Sequence, residues 1–431
     1  MSKKQHFIWG TLLLTGASFL SRIMGFSFRI FLSRIFTEEQ IGLYQLIFPI
    51  YALCFSFTSA GIELAVSRSV AREISLRKKD RANLFFYTGL ACSLVFSIVI
   101  MKLLQKNASL ISIYILGDMR CEAFIHALSC ALPFASIHSC ICGYYLGMKQ
   151  AKITAYSQLI EQSIRVLFTI LACQIAPDII YAVHGIALGE FFSALFCIWY
   201  YSHKDFSLIP KKQLIHFPHI TKKLLLLAAP ITANRVLTNL LQSMESISIP
   251  LSLQKYGYTN AESLGTLGVL TGMALPCILF PSAITNSIAT LVLPTVAEYQ
   301  TESNCTKLQQ MIHKVISICL LIGFASCFFF FAFSNTIGEL LFQSPTTSTY
   351  LKVLCWICPF LYTNTTLSSI INGLGKTVIT FLINCLGISI RILSILIFIP
   401  RIGMNGYLWS LLASQILSFT LQFLYLKKRG C

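Results

Sequence analysis

The sequence predicts an all-α polytopic membrane protein of about 12 transmembrane helices, arranged as two parallel six-helix repeats. Three observations carry that expectation. Of the 431 residues, 55% are hydrophobic and only 11% charged, with a mean hydropathy of +0.72, whereas a soluble protein carries roughly 25% charged residues. Apolar runs of about 20 residues recur along the chain, each long enough to cross a hydrocarbon core of ~30 Å. The 33 Lys and Arg residues collect in alternate breaks between those runs.

Counting runs and breaks in order gives spans at 7–32, 41–64, 83–104, 121–146, 154–173, 182–201, 224–250, 264–290, 311–333, 349–371, 377–399 and 406–426. The first run follows Lys3 and Lys4 in the manner of a signal peptide, but Arg22 and Arg29 interrupt it and no cleavage site follows. With the N-terminus placed inside, 21 basic residues fall in inner segments, 7 in outer ones and 5, all Arg, within spans. The inner set includes the run Arg68, Arg72, Arg77, Lys78, Lys79 and Arg81, then Lys204 to Lys223, and the closing Lys427-Lys428-Arg429. This bias orients the chain with both termini cytoplasmic. It also accounts for much of the net charge of +17 without a nucleic-acid partner.

The domains expected from this pattern are an N-terminal bundle over 1–203, a cytoplasmic linker over 204–222 and a C-terminal bundle over 223–431. The two halves align at an offset of 226: Gly42 meets Gly268, Val70-Ala71 meets Val296-Ala297, and Pro133-Phe134 meets Pro359-Phe360. Gly147 meets Gly373, Thr154 meets Thr380, and Ser163-Ile164-Arg165 meets Ser389-Ile390-Arg391. An offset of 213 brings Arg22 onto Arg235. Six helices per repeat give both halves one orientation, an architecture that binds substrate between bundles and rocks one against the other.

Charged groups at mid-bilayer cost at least ~2.5–3.5 kcal/mol each and so face a cavity or a partner. Those clearly inside spans, away from the ends, are Arg22, Arg29, Arg165, Arg235 and Arg391, with Glu161, Glu190 and Glu245. In the first helix Thr11, Thr15, Ser18, Arg22, Gly25 and Arg29 recur at steps of four and three, one helical face. The seventh repeats the rhythm with Arg235, Thr238, Gln242 and Glu245. Guanidinium groups stay charged and grip phosphate oxygens in pairs, so these stripes suit a phosphate or pyrophosphate. The structural readings are that Glu161 and Arg165 neutralise each other one turn apart and that Arg29 snorkels to the outer interface. Arg22 and Arg235 lie too deep to snorkel easily. Glu190 and Glu245 are coupling-ion candidates, for Na+ or H+, or counter-charges to the arginines.

Other chemistry is not expected. The 16 Cys lie mostly in apolar runs, where thiols pack as small hydrophobes, and Cys140-x-Cys142 and Cys355-x-x-Cys358 lack partners at metal-ligand spacing. Gly373-Leu374-Gly375-Lys376-Thr377 lacks the first glycine of a P-loop, having Ile370 there. Gly143-x3-Gly147, Gly185-x3-Gly189 and Gly268-x3-Gly272 read as close helix contacts. No His forms a nucleophilic constellation in the sequence, and no catalytic residue, cofactor or metal is expected.

Several motifs resemble one family. They are Ser21-Arg22-Ile23-Met24-Gly25-Phe26 with Arg29, Gly42-Leu43-Tyr44-Gln45, Ile115-Leu116-Gly117-Asp118 and Gly143-Tyr144-Tyr145-Leu146-Gly147. Ser157-Gln158-Leu159-Ile160-Glu161-Gln162 with Arg165, Met273-Ala274-Leu275-Pro276 and Thr285-Asn286-Ser287-Ile288 extend the likeness over nearly the whole chain. It is similar to the stage V sporulation protein B-like and lipid II flippase-like branch of the multidrug/oligosaccharidyl-lipid/polysaccharide exporter superfamily. The resemblance implies a V-shaped, bilobed transporter in a bacterial plasma membrane. It would move an undecaprenyl-diphosphate-linked saccharide, such as a peptidoglycan or other cell-wall precursor, by alternating access while the tail stays among membrane lipids. Substrate-binding candidates are then Arg22, Arg29, Arg235, Gln242, Glu161, Arg165 and Arg391. The family's cavity arginine in the eighth helix falls near Thr271 here, its acid at the start of the second helix falls on Gly42, and fourteen helices become twelve. A cation-coupled drug antiporter of the same superfamily is the rival reading, and a non-transporting scaffold for cell-wall or spore assembly the third.

The orientation is testable by accessibility labelling. On a cysteine-free background, Lys79→Cys is expected to react with an impermeant maleimide only in inverted vesicles, and Lys352→Cys only in intact cells; the opposite pattern inverts the topology.

Overall fold

The computed structural model describes residues 3–204, 217–301 and 305–428; side chains at 3–12, 294, 297–301 and 305–307 lie outside the described set, as do residues 205–216 of the expected linker and Thr11 of the first polar stripe. The described helices are α1 (Lys3–Ile35), α2 (Glu38–Ser75), α3 (Lys79–Lys106), α4 (Cys121–Gly147), α5 (Lys152–Ile175), α6 (Ile180–Lys204) and α7 (Phe217–Tyr256). They continue as α8 (Asn260–Leu279), α9 (Ser282–Thr301), α10 (Leu308–Leu341), α11 (Pro345–Gly373), α12 (Thr377–Ile402) and α13 (Met404–Lys428). Among the described residues 10 helices are long and apolar enough to cross a membrane; α1 and α5, which carry Arg22 with Arg29 and Glu161 with Arg165, are not among them.

Helices outrun the apolar runs that mark them. The run at 41–64 continues helically to Ser75, through Arg68 and Arg72. Hydropathy marks only the apolar run, whereas the helical hydrogen-bond ladder continues past it, with Val66, Val70 and Glu73 still buried in the protein. The expected span 264–290 is broken between α8 and α9 around Phe280 and Pro281, where proline supplies no N–H. Ser282 Oγ donates to the Leu279 carbonyl at 2.6 Å across that break.

The chain forms two compact units, Met1–Phe28 with Leu46–Ser243 and Arg29–Gln45 with Met244–Cys431. The chain therefore changes unit inside α1, after Phe28, returns inside α2, after Gln45, and changes again inside α7, after Ser243.

In the first unit α2, α3, α4 and α6 enclose Val66, Val70, Phe86, Ile141, Tyr144 and Tyr145, with Tyr201 beside them. Phe86 packs 4.8 Å from the Tyr144 ring, and the buried Tyr144 hydroxyl donates to Asn83 Oδ1 at 2.8 Å. The early part of α7 belongs here: Asn239 Nδ2 donates to the Ala52 carbonyl at 3.2 Å and Ser243 Oγ to that of Pro49 at 3.0 Å. The second unit's core is Val292, Val296, Ile312, Leu367, Ile370 and Ile371. Each of these stands 226 residues after its counterpart in the first unit.

The backbone keeps the same register. Gln150 N donates to Tyr145 O at 2.9 Å where α4 ends, and Lys376 N to Ile371 O at 3.1 Å where α11 ends. The residues that turn the chain there, Lys149 and Gly375, are left-handed at φ 62° and 75°. Asp118 N donates to Ser112 O at 3.0 Å and Ser344 N to Gly338 O at 2.9 Å, each closing a π-helical turn (Ile111–Leu116 and Thr336–Leu341). A Cβ on Gly147 would sit 2.7 Å from Ser67 O, and one on Gly373 would sit 2.8 Å from Leu293 O. The internal repeat is therefore structural.

Overpacking a matched pair of contacts is expected to cost about 1–3 kcal/mol at each site. Gly147→Val and Gly373→Val should both lower the unfolding temperature in detergent, while Gly16→Ala, whose Cβ meets nothing within 4 Å, should leave it in place.

Candidate transport site and family

Small residues set the first unit's polar centre. A Cβ on Gly189 would lie 2.7 Å from the Glu161 carbonyl, and one on Gly185 would lie 3.0 Å from that of Arg165. The two glycines let α6 approach the α5 backbone and bring Glu190 to Glu161. His138, from α4, places Nδ1 3.2 Å from Glu190 Oε2 and Nε2 3.1 Å from Ser157 Oγ. Tyr51, from α2, donates its hydroxyl to Glu190 Oε1 at 3.3 Å. Donor atoms of His138, Glu161 and Glu190 all lie within 4.8 Å of one another, as do those of His138, Cys142 and Cys197. The imidazole can take a proton against Glu190, and the two carboxylates with a neutral imidazole nitrogen form an O/O/N set able to hold a cation.

The polar stripe of α1 lies along α5. Ser18 Oγ donates to Gln158 Oε1 at 3.2 Å, and Gly25 faces the Gln162 amide, whose nitrogen would stand 3.5 Å from an added Cβ. Between them Arg22 is exposed, with no hydrogen-bond or ion-pair partner among the described residues. Arg235 and Gln242 on α7 are likewise exposed, and Arg235 lies within electrostatic range of Glu63 on α2. Arg165 is held differently: its guanidinium lies over the Phe28 and Phe48 rings, 5.5 and 5.8 Å from their centroids.

In the second unit Arg29 Nη1 donates to the carbonyls of Thr271 at 2.9 Å and Gly272 at 3.3 Å. These belong to a π-helical turn, Gly268–Ala274, in α8. Arg34 does the same at another such turn, with Nη2 donating to Leu340 O at 2.9 Å. Arg391 Nε stands 2.9 Å from Glu245 Oε1, and Tyr407 donates to the same oxygen at 2.7 Å. Their side chains are 17% and 8% exposed, so Arg391 is committed to Glu245.

Of the sequence-predicted residues, then, Arg22, Arg235 and Gln242 are exposed in the first unit, and Glu161 joins Glu190 there. Arg29, Arg165 and Arg391 are engaged inside the protein. The expected stripe on α7 is divided, with Gln242 in the first unit and Glu245 in the second. Tyr51, Glu63, His138, Ser157 and Tyr407 were not identified from sequence. His138 and Glu63 carried a usable signal: an imidazole or a carboxyl on an apolar span must find a polar partner.

Comparison with known proteins fits this arrangement. A polysaccharide biosynthesis protein family model matches residues 7–300, and a MatE model matches 235–397. The chain is 26% identical to stage V sporulation protein B of Bacillus subtilis (strain 168), covering 96% of this chain and 82% of that one. To lipid II flippase MurJ of the same organism it is 21% identical, covering 98% and 82%. Its fold matches an inward-facing multidrug resistance MATE transporter of the MOP superfamily with a TM-score of 0.77 at 15% identity, covering 95% of this chain and 94% of that one. It matches lipid II flippase MurJ in an inward closed conformation with a TM-score of 0.77 at 17% identity, covering 96% and 87%. With the first family model spanning well over half of its residues, the chain belongs to the polysaccharide biosynthesis protein family.

Proposed function

We propose that the chain is a flippase that carries an undecaprenyl-diphosphate-linked saccharide across a bacterial plasma membrane by alternating access, with both termini in the cytoplasm. The activity is transport, not catalysis. One observation carries the reading of the cargo: Arg22 and Arg235, at span depth in one unit, have no hydrogen-bond or ion-pair partner among the described residues. A guanidinium keeps its charge at any physiological pH, and leaving it unanswered in hydrocarbon is costly. A diphosphate supplies the missing acceptors and favours bidentate contacts. The relative named as a lipid II flippase supports the same class of cargo.

Coupling is assigned to the Glu161, His138 and Glu190 cluster. A proton or Na+ bound there changes the charge of the unit that holds Arg22 and Arg235. Glu245 is assigned a structural role, as the counter-charge to Arg391. The MatE match favours one second reading, a cation-coupled drug antiporter, which would use Glu161 and Glu190 to hold organic cations.

Arg22→Ala and Arg235→Ala, made singly, should each lower flipping of a fluorescent lipid-linked precursor in proteoliposomes about tenfold or more, the scale of a lost charge-assisted contact, at unchanged membrane abundance. Arg391→Ala should act on stability instead, because stranding a buried carboxylate costs about 3–5 kcal/mol, and adding Glu245→Gln should restore much of the loss. Flipping that is indifferent to Arg22 and Arg235 removes them from cargo binding.

Glu190→Gln should abolish the response of flipping to an imposed proton or Na+ gradient while precursor binding persists. Glu190-dependent extrusion of a cationic dye, with no precursor flipping, would instead establish the antiporter.

A further inference from the structure

A second polar site lies away from these residues, where three helices of the first unit end. A cavity of about 310 Å3 is lined by Glu73 from the last turn of α2, Arg81 from the first turn of α3, and His219 and Lys223 from the start of α7, over a floor of Phe85 and Ile220. Arg81, His219 and Lys223 are exposed at its mouth, and Lys223 Nζ is steadied over the Phe85 ring at 5.7 Å from the centroid. Glu73 is only 5% exposed, and its Oε2 is buried with no hydrogen-bond partner among the described residues.

An unanswered buried carboxylate oxygen costs stability in the free protein, so a group that donates to it binds with that cost relieved. A purely anionic ligand would satisfy the basic mouth and be repelled by Glu73. A purely cationic one would meet Glu73 and be repelled at the mouth. Only a ligand bearing both signs answers all the groups. The volume sits at the small end of ligand pockets, roughly 300–1,000 Å3, which suits a headgroup better than a diphosphate-linked saccharide. Arg81 and Lys223 stand within two residues of the starts of the apolar runs 83–104 and 224–250, the depth where phospholipid headgroups lie.

We propose that this cavity binds a phospholipid headgroup carrying both a phosphate and a primary ammonium, the phosphate between Arg81 and Lys223 and the ammonium on Glu73. A primary ammonium brings three N–H donors, and a trimethylated one brings none, so an ethanolamine headgroup is selected over a choline one. A glycerol headgroup can use the basic mouth but leaves Glu73 without a cation.

The test uses the full-length protein in detergent, titrated with short-chain phosphatidylethanolamine, phosphatidylcholine and phosphatidylglycerol and followed by native mass spectrometry. The wild type should favour phosphatidylethanolamine over both others by about tenfold, the scale of one charge-assisted contact. Glu73→Gln should erase the preference over phosphatidylglycerol while leaving phosphatidylglycerol binding within about twofold, and Arg81→Ala with Lys223→Ala should weaken both lipids about tenfold. Equal binding of the three lipids by the wild type overturns the proposal without reference to any variant, as does an ethanolamine preference that survives Glu73→Gln. Soluble phosphoethanolamine distinguishes the source: failure to compete at lipid-like concentrations supports a bilayer ligand, and equal competition overturns the bilayer as the source.

Discussion

A guanidinium cannot shed its charge, so every arginine set within a membrane span must be answered by the protein, by water or by a ligand. Much of the local structure consists of such answers. Arg391 meets Glu245 and shares it with the Tyr407 hydroxyl. Arg165 lies over two phenylalanine rings, which offer a polarisable face without adding an acid. Arg29 finds carbonyls at a π-helical turn, where the widened coil leaves backbone oxygens available. That turn lies where the family resemblance places a cavity arginine in the eighth helix, so this chain brings a guanidinium to the Thr271 backbone from α1 instead. Once these commitments are made, Arg22 and Arg235 remain as the arginines in spans for which the described residues supply no hydrogen-bond or ion-pair partner, Glu63 standing only within electrostatic range of Arg235.

The two halves share register but not chemistry. Tyr144 and Tyr145 in one core become Ile370 and Ile371 in the other. Arg165 and Arg391 occupy equivalent positions on α5 and α12, yet one rests on aromatic faces and the other on a carboxylate. Duplication preserved the places where helices touch, because Gly147 and Gly373 press on equivalent backbones and tolerate nothing larger. The polar interior was free to diverge, since each half needed only to satisfy its own charges.

The fold was legible in the sequence because its signals are local. Apolar run length, the distribution of Lys and Arg, and Gly and Pro matches at one offset each depend on a short stretch of chain. The helix ends were less legible, since hydropathy falls off before Ser75 while the hydrogen-bond ladder continues. The site was legible in part. The sequence marked which charges lie inside spans, but partner choice is tertiary: no spacing links Glu245 to Arg391 across 145 intervening positions, or Tyr51 to Glu190. The one-turn spacing does put Arg165 within electrostatic range of Glu161, but it gives no sign of His138 and Glu190, which reach Glu161 from α4 and α6 because glycines at 185 and 189 draw α6 onto α5.

Each π-helical turn holds one more residue than the α-helix it interrupts. Between Gly42 and Val70 the first half has one such turn, Ser56–Ala60, and between Gly268 and Val296 the second half has Gly268–Ala274. They stand at different points along equivalent stretches of chain, α2 in the first half and α8 with α9 in the second, yet the offset of 226 is the same before and after them. The surplus residues are matched in number though not in location, so neither half has gained length on the other. Losing one residue from the Ser56–Ala60 turn would swing every later side chain of α2 by about 100°, carrying Val70 out of its core. The first half keeps its core in register only while that turn keeps its surplus residue.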